Sequence, residues 1–506
     1  MATDLTVIVL AAGSGTRMRS RTNKVLHRIG GRSMVQHVLT AVEELHPRNL
    51  VVVVGAQREQ VGPHIQESAP QCVLAVQDTQ SGTGHAVQIA IETLISGDAD
   101  ALSAGSATVL VAAGDTPLLQ GDTLRRFVEE HAASQCAVSI LSGIVADPTG
   151  YGRIVRTAAG DVLGIVEEKD ADDQLRAITE INSGILAFAA DFLLEALPRL
   201  KNDNLSGEYY LTDLVSLARG AGLTVGAIRL PDTLQTQGAN DRVQLAALGR
   251  ELNRRILDRA MRGGVTIIDP ETTWIDADVQ LGTDIVIHPG CQLLGNSVVG
   301  DDAVIGPDTT LEDCQVGPGA RVVRSHCLAA QIDASATVGP FSFLRPGTRL
   351  GPEAKIGAFV ETKNATLGKG AKVPHLSYVG DADIGEGANI GAGTIFANYD
   401  GVNKHRSSVG VHARTASNNT FVAPVEIGDG AATGAGAVIR RDVPPGALAV
   451  SSGPQRNLVG WVARRWPGSA MAKAAVSRAA ATRNAQVGRS APRATQSSAP
   501  GQDTSD

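Results

Sequence analysis

The chain has 506 residues, enough for more than one domain, of which 43% are apolar and 19% charged. A net charge of −7 excludes nucleic-acid binding by bulk charge, and 3% aromatics with 56 glycines argue against an all-helical protein and for many tight turns. Cys72, Cys136, Cys291, Cys314 and Cys327 show neither metal-ligand spacing nor a disulfide pattern, which fits a reducing compartment. Met-Ala-Thr-Asp leads straight into an apolar run with no charged-then-apolar leader, and no run approaches membrane length. A cytoplasmic protein without nucleic-acid or membrane partners is expected.

The first run, Val7–Leu10, enters a small-residue loop in "VIVLAAGSGTRMRS". Met18 stands where the dinucleotide fingerprint needs its third glycine, and the Walker phosphate loop fits no better. What remains is a strand, a turn in which Gly13 and Gly15 leave backbone N–H groups open to a phosphate, and Arg17 beyond it to neutralise phosphate oxygens. A plain strand–turn–helix connection fits the same residues.

Further apolar runs at Leu50–Val54, Cys72–Val76, Thr108–Ala112 and Ala137–Ile140 suit strands buried on both faces of a parallel sheet. Helical patterns lie between them, such as 33–45 with Ser33 as N-cap. The expectation over 1–240 is an α/β doubly wound domain with its ligands at the carboxyl ends of the strands. Asp115 closes "ATVLVAAGD" at such an end. A lone Asp there is more often a helix or turn cap than a metal ligand.

Residues 241–262 form one helical pattern, with Leu245, Leu248, Leu252 and Ile256 on one stripe and Gly263-Gly264 ending it. It is expected to link two domains. From 263 to 453, and plainly past 280, aliphatic residues recur every sixth position: Ile287, Leu293, Val299, Ile305, Leu311, then Val316, Val322, Leu328, Ile332, Val338, Leu344, Leu350 and Ile356, and onward to Ile439. Neither a helix nor a simple strand has that period. One short strand plus a corner does, and three such sides close one coil of a parallel β-helix, roughly nine coils in all. Residues 397–408, "ANYDGVNKHRSS", break the period and read as a loop inserted on a binding face. The extension 454–506 loses all Leu, Ile and Phe from Pro467 onward, and disorder is expected from about 467.

An α/β domain joined to a hexapeptide β-helix, with "LAAGSGTRM", "KVLH", "GTGHA", "GDTPLL", "GYGRI", "GIVEEKD", "EYYLTD", "LRPGT", "KVPHLSYVGDADIG" and "NYDG", closely resembles the bacterial bifunctional N-acetylglucosamine-1-phosphate uridyltransferase / glucosamine-1-phosphate acetyltransferases. The resemblance covers about residues 5–460 and implies a left-handed β-helix. It implies that Leu10, Ala11, Ala12 and Gly13 hold the uridine nucleotide, that Arg17 and Lys24 face its phosphates, and that Gln77, Gly82 and Thr83 read uracil. Asp115 and Asn240 are implied as ligands of Mg2+, which favours such hard oxygen donors. Gly152, Glu167 and Asn182 are implied to hold the acetylated sugar; without the resemblance they read as a turn glycine, a surface acid and a turn amide.

On the β-helix the resemblance implies His375 as the proton acceptor of acetyl transfer, a role His suits because its ordinary pKa lies near neutrality. Arg345, Lys363, Tyr378 and Asn389 are implied as contacts to the sugar phosphate, Asn398 and Tyr399 to the acetyl thioester, and Ala392, Ser417 and Ala435 to acetyl-coenzyme A. No serine or cysteine nucleophile stands out, which favours direct attack of the sugar amine on the thioester. Asn23, where proline is common in the family, suggests a looser loop before Lys24. Asp241 adds charge near the metal, and Ser452 replaces an Arg that touches coenzyme A in some relatives. The implied protein is a homotrimer acting on UTP, N-acetylglucosamine-1-phosphate, glucosamine-1-phosphate and acetyl-coenzyme A. Two alternatives stand beside it: a monofunctional sugar nucleotidyltransferase with a regulatory β-helix, and a non-catalytic scaffold of the same layout.

Overall fold

The computed structural model describes residues 4–13, 15–55, 57–98, 100, 102, 107–451, 453 and 455–476. The chain to Val450 forms one compact unit, and a second begins at Ser451.

The N-terminal sheet is built on β1 (Leu5–Ala11), β2 (Asn49–Val54), β3 (Val73–Val76), β4 (Thr108–Ala113), β5 (Val138–Ile144), β6 (Glu180–Ala189) and β7 (Val225–Arg229), in the spatial order β7-β5-β6-β4-β1-β2-β3. β1 is parallel to β2 and β4, with Leu10 opposite Val53 and Ala113. Alternate residues of β1 serve the two faces, as a period of two requires. Val7 and Val9 pack under α1 (Met34–Glu43), α2 (Arg58–Ser68) and α4 (Gly121–Ser134), where Val38, Ile65 and Phe127 are buried. Ile8 packs under α3 (Thr83–Gly97), α5 (Ala190–Ala196) and α6 (Asp213–Gly220), with Val87, Leu193 and Leu214. The sheet is thus covered on both faces.

Two features depart from a fully parallel, fully buried sheet. β6 runs antiparallel to β4 and β5. It follows the antiparallel hairpin of Arg153–Arg156 and Val162–Val166, whose first strand it pairs with, so no long crossover is available to reverse its direction. β3 is an edge strand, and Val73 and Val76 stay exposed there.

Ser33 caps α1 as expected, in a capping box with Gln36. The linker helix α7 (Arg242–Arg262) ends on Gly263. Asp241 is its N-cap, accepting from the Val243 and Gln244 N–H groups at 2.9 Å each. That carboxylate therefore serves the helix start. Leu248 of α7 packs with Met18, Ile29 and Met34 of the first domain, while buried Asn253 donates to Thr273 O (2.8 Å) and accepts from Ile275 N (3.0 Å) of the β-helix. Arg32 grips Asp278 through two guanidinium nitrogens, and Ala277 N donates to Gly30 O at 2.9 Å. Both bonds tie the first coil to the N-terminal domain.

The C-terminal half is a left-handed parallel β-helix, and its strand partners lie three hexapeptides apart. Ile287 stacks under Ile305, Val322, Val338, Ile356 and Val373 in turn. The one-residue slips are absorbed at corners. One inward position differs from expectation: Cys327, partner of Leu311, is fully buried, and Leu328 is not. The aliphatic pattern missed it because a thiol of small volume does the packing. Thr362, also fully buried, fills the gap between Ile356 and Leu367 by hydrogen bonding to Thr348 Oγ1 at 3.0 Å. In the second unit, Trp461–Arg465 is helical and its Trp461 ring meets Trp466 edge-on. Residues 470–476 are helical as well, so the disorder expected from about 467 does not hold for 467–476. Alanine at 470, 472, 474 and 475 explains the difference, because it favours helix without needing a core. The remainder of that expectation, 477–506, lies outside the described residues, as does Ser452.

Phe396 and Phe421 are fully buried neighbours in successive coils, ring centroids 5.0 Å apart at 70°. Phe421→Ala removes the larger part of that contact and is expected to destabilise the β-helix by about 3–5 kcal/mol in chemical denaturation. A loss below about 1 kcal/mol would mean the coil collapses around the gap.

Candidate functional sites

The loop after β1 is shaped by two glycines with different jobs. A Cβ on Gly13 would meet nothing within 4 Å, so its face is open to a ligand. Gly15 has φ +59°, and a Cβ there would lie 2.4 Å from Lys24 Cβ. Only glycine lets the Lys24 turn approach so closely. Asn23 is buried and its Oδ1 accepts from Val25 N at 3.1 Å. Its Nδ2 reaches Gly13 O at 3.4 Å. The turn is therefore held by a side-chain cap, against the expectation of a looser loop.

Lys24 Nζ lies against Asp115 Oδ2 and donates to Asn240 Oδ1 at 2.7 Å. Arg17 Nη2 donates to the same Asn240 oxygen at 3.0 Å. The two oxygens expected to ligate a metal thus converge on one point that a cation already favours, and the donor set fits a hard divalent ion. A Cβ on Gly238 would sit 2.9 Å from Asp115 Oδ2, so this glycine keeps the carboxylate's flank clear. Among the described residues no group of three or more His, Cys, Asp or Glu side chains could enclose a metal. An ion here would take its remaining ligands from phosphates and water.

Beside this cluster is a cavity of about 250 Å³ lined by Leu10, Thr83, Tyr151, Gly152, Glu167, Asn182 and Thr212, among others. Leu10 joins the two, because its carbonyl accepts from Gly114 N at 2.9 Å, next to Asp115. Glu167 accepts from Thr212 Oγ1 at 3.0 Å, and burial pushes its carboxyl above the usual range. Asn182 Oδ1 accepts from Gly184 N, and a Cβ on Gly152 would meet Glu167 Oε1 at 3.3 Å. The sugar residues implied by the resemblance therefore share one cavity. Gln77 is buried, with Nε2 committed to Gly82 O (3.1 Å) and His85 Nδ1 (3.2 Å). Thr83 Oγ1 accepts from Leu211 N. Gly82, at φ +105°, would clash with Tyr209 O if it carried a Cβ. A larger cavity of about 560 Å³, between α7 and the first coils, holds none of the expected site residues.

On the β-helix, successive coils repeat one corner. Gly393 N donates to His375 O, Asn418 N to Ala392 O, and Gly436 N to Ser417 O. His375, Ala392, Ser417 and Ala435 therefore follow one another along this corner, a track suited to an extended ligand. His375 is exposed, as are Ser417 and Ala435. Asn389 lies in the coil after that of Lys372, its N–H donating to Ala413 O of the next coil. Arg345 pairs with Glu361 at 3.0 Å. Contact with the Lys404 ammonium holds Lys363 below the ordinary lysine range, with Arg345 adding to the effect. Lys404 belongs to the inserted loop and escaped the sequence reading, although it is the cation of "NYDGVNK". Tyr378 Oη lies 3.5 Å from Asn398 Nδ2, and a Cβ on Gly380 would fall 2.4 Å from that hydroxyl. Tyr399 is exposed, its hydroxyl donating to Gly401 O.

This is the architecture of a two-site transferase, with a nucleotidyltransferase domain feeding into a hexapeptide β-helix. The MobA-like NTP transferase domain family matches residues 7–183. The chain is 56% identical to the bifunctional protein GlmU of Mycolicibacterium gilvum, covering 93% of this chain and 94% of that one. It is 53% identical to that of Corynebacterium efficiens, over 93% and 96%, and 56% identical to that of Streptomyces avermitilis, also over 93% and 96%. The chain belongs to the GlmU family of bifunctional enzymes, which make UDP-N-acetylglucosamine from small-molecule substrates by acetyl and then uridylyl transfer. Membership also implies a divalent metal. Among the described residues no helix is long and apolar enough to cross a membrane.

Burial raises the Glu167 carboxyl pKa on folding, so the folded state is disfavoured once that group ionises. The penalty is absent below the ordinary carboxyl pKa and complete above the raised one. Glu167→Gln keeps an acceptor for Thr212 and is expected to raise the melting temperature at pH 7–8, with the gain vanishing as pH falls toward 4. An equal gain at both ends of that range would mean the carboxyl is not desolvated.

Proposed function

We propose that the two reactions use the residues assembled above. In uridylyl transfer, Leu10–Gly13 cradle UTP, Gln77, Gly82 and Thr83 read uracil, and Gly152, Glu167 and Asn182 hold N-acetylglucosamine-1-phosphate. Arg17 and Lys24 neutralise the triphosphate as the sugar phosphate attacks and pyrophosphate leaves. Asp115 and Asn240 hold Mg2+, which when bound supplies further positive charge to the phosphate oxygens. The observation that carries this reading is the junction of the Lys24–Asp115–Asn240 cluster with the 250 Å³ cavity through Leu10.

In acetyl transfer, the amine of glucosamine-1-phosphate attacks the acetyl carbonyl. The C–N bond forms, the C–S bond breaks, and His375 takes the amine proton, which returns to the coenzyme A thiolate or to solvent. Arg345, Lys363 and Lys404 supply charge for the sugar phosphate, with Tyr378 and Asn389 beside it. Asn398 and Tyr399 meet the thioester, and Ala392, Ser417 and Ala435 line the coenzyme A track. The protein works as a cytoplasmic homotrimer. Support for self-association comes from Phe341, Phe359 and Leu376, each more than half exposed and lined up on the corner that continues to His375. The two phenyl rings stack 5.2 Å apart, and an exposed apolar row of this kind marks an interaction surface.

A crossed pair of variants tests the assignment. Asp115→Asn is expected to abolish uridylyl transfer and leave acetyl transfer within about twofold. His375→Ala is expected to cost acetyl transfer roughly a hundred- to ten-thousand-fold and spare uridylyl transfer. Both half-reactions and the melting temperature are measured on each protein. Acetyl transfer by His375→Ala within a few-fold of the parent would favour the regulatory β-helix.

A further inference from the structure

Three successive coils place a polar residue at one equivalent corner: Asn364, Asp381 and Asn398, paired through the register that sets Lys363 opposite Gly380 and Ala365 opposite Ala382. Asp381 stands in the middle, 8% exposed and at φ +49°. Its Oδ1 accepts from Asn364 Nδ2 at 2.8 Å, and its Oδ2 accepts from Asn398 Nδ2 at 2.5 Å. Left-handed corners elsewhere in the β-helix carry exposed aspartates such as Asp302, Asp308 and Asp313, whereas Asp381 is buried, and a buried carboxylate is costly unless its oxygens are hydrogen-bonded.

Its geometry has one chemical consequence. An amide offers a donor at one end and an acceptor at the other, and an ionised carboxylate only accepts. Asp381 therefore fixes which way the Asn398 amide points. The Nδ2 end is turned inward to the carboxylate and the Tyr378 hydroxyl, and Oδ1 is the end that Asn398 can offer to a substrate. Asn398 is also the root of the inserted loop. Its carbonyl accepts from His405 N at 2.8 Å, and Arg406, at the loop's other base, grips Asp383 and donates to Asn364 O at 3.0 Å. One carboxylate thus locks the amide at the point where the loop carrying Tyr399 and Lys404 leaves the β-helix.

We propose that Asp381 is a positioning residue of acetyl transfer, acting through Asn398 by fixing its amide with the carbonyl end toward the reacting sugar amine. The proposal rests on the reading of Asn398 as a residue of the acetyl site. Burial works against the charge of Asp381, but the two amides, Lys363 and Lys404 outweigh it and hold the carboxyl below its ordinary pKa, so the charged, accept-only form is the one present at neutral pH.

The test is a double-mutant cycle on the full chain, with kcat and KM of acetyl transfer measured for the parent, Asp381→Asn, Asn398→Ala and the pair. Asparagine at 381 can donate as well as accept, so the amide at 398 is free to reverse. Asp381→Asn is expected to lower kcat about ten- to a hundredfold, the scale of a misplaced reacting group. In the Asn398→Ala background the same change is expected to alter kcat less than about threefold. The loss of charge beside Lys363 and Lys404 is read in the KM for glucosamine-1-phosphate and stays apart from the coupling. Uridylyl transfer by the same proteins reports folding. If Asp381→Asn loses that activity too, Asn364→Ala takes its place, since it frees the carboxylate from its other side; it must lower kcat several-fold in the parent and not in Asn398→Ala. Equal losses in both backgrounds, or a kcat within twofold of the parent for the variant used, overturn the proposal alone. Unchanged acetyl transfer by Asn398→Ala overturns it together with the reading of Asn398.

Discussion

The β-helix hangs on the stacking of inward side chains at every sixth position. Each coil of the β-helix is too short to bury its own apolar side, and it is stable only because the equivalent residue of the next coil covers it. That requirement fixes the register of every strand, and the register fixes the corners. The track from His375 through Ala392 and Ser417 to Ala435, and the ladder Asn364–Asp381–Asn398, are both products of that stacking. Side chains far apart in sequence become neighbours because a full turn of the coil returns the chain to the same place. The loop that breaks the period costs the stack little, since it leaves and rejoins at corners whose inward neighbours Phe396 and Val409 keep the stack intact.

The N-terminal site is organised by a different device. Three chain segments, the Lys24 turn, the end of β4 and the stretch before α7, bring an ammonium, a carboxylate and an amide to one point. Each segment is held from behind: the turn by Asn23 and the clearance at Gly15, the carboxylate by the space at Gly238, and the amide by Gln244, whose Oε1 accepts from Asn240 N at 2.7 Å. The carboxylate of Asp241 caps the helix start one residue further on, and so anchors the approach of Asn240 to the cluster. The linker helix therefore starts beside the Lys24–Asp115–Asn240 cluster and reaches the β-helix junction at Asn253. The two halves are joined by this helix together with the Arg32–Asp278 and Ala277–Gly30 contacts.

The fold was open to reading because both of its periodicities are written in side-chain type. Continuous Val and Ile runs mark buried strands, and a six-residue aliphatic period has no other physical reading over so many repeats. Reading failed where a different chemistry met the same packing need: Cys327 and Thr362 fill inward positions that no aliphatic pattern would select. The antiparallel course of β6 was equally hidden, since strand direction depends on how long the connection is and not on the strand's own residues. Residues 470–476 are helical although they lack core-forming residues, because alanine needs none.

For the sites, the sequence by itself determined which groups are present: the cations Arg17 and Lys24, the oxygens of Asp115 and Asn240, and His375 on an outward-facing position between inward Val373 and Val379. Motif strings tied them to a chemistry. What only the tertiary structure decided is which groups act on one another. Lys404 meets Lys363 because the inserted loop folds back over the coil, and Glu167 becomes a hard-to-ionise acid because burial in the cavity wall removes it from water, which outweighs the hydrogen bond from Thr212. Asp381 reads in the sequence as one acid among several in "VGDADIG". It becomes the hinge between two amides only when neighbouring coils bring their corners to hydrogen-bonding distance, and hydrogen bonds are set by ångström-scale geometry that residue order alone does not carry.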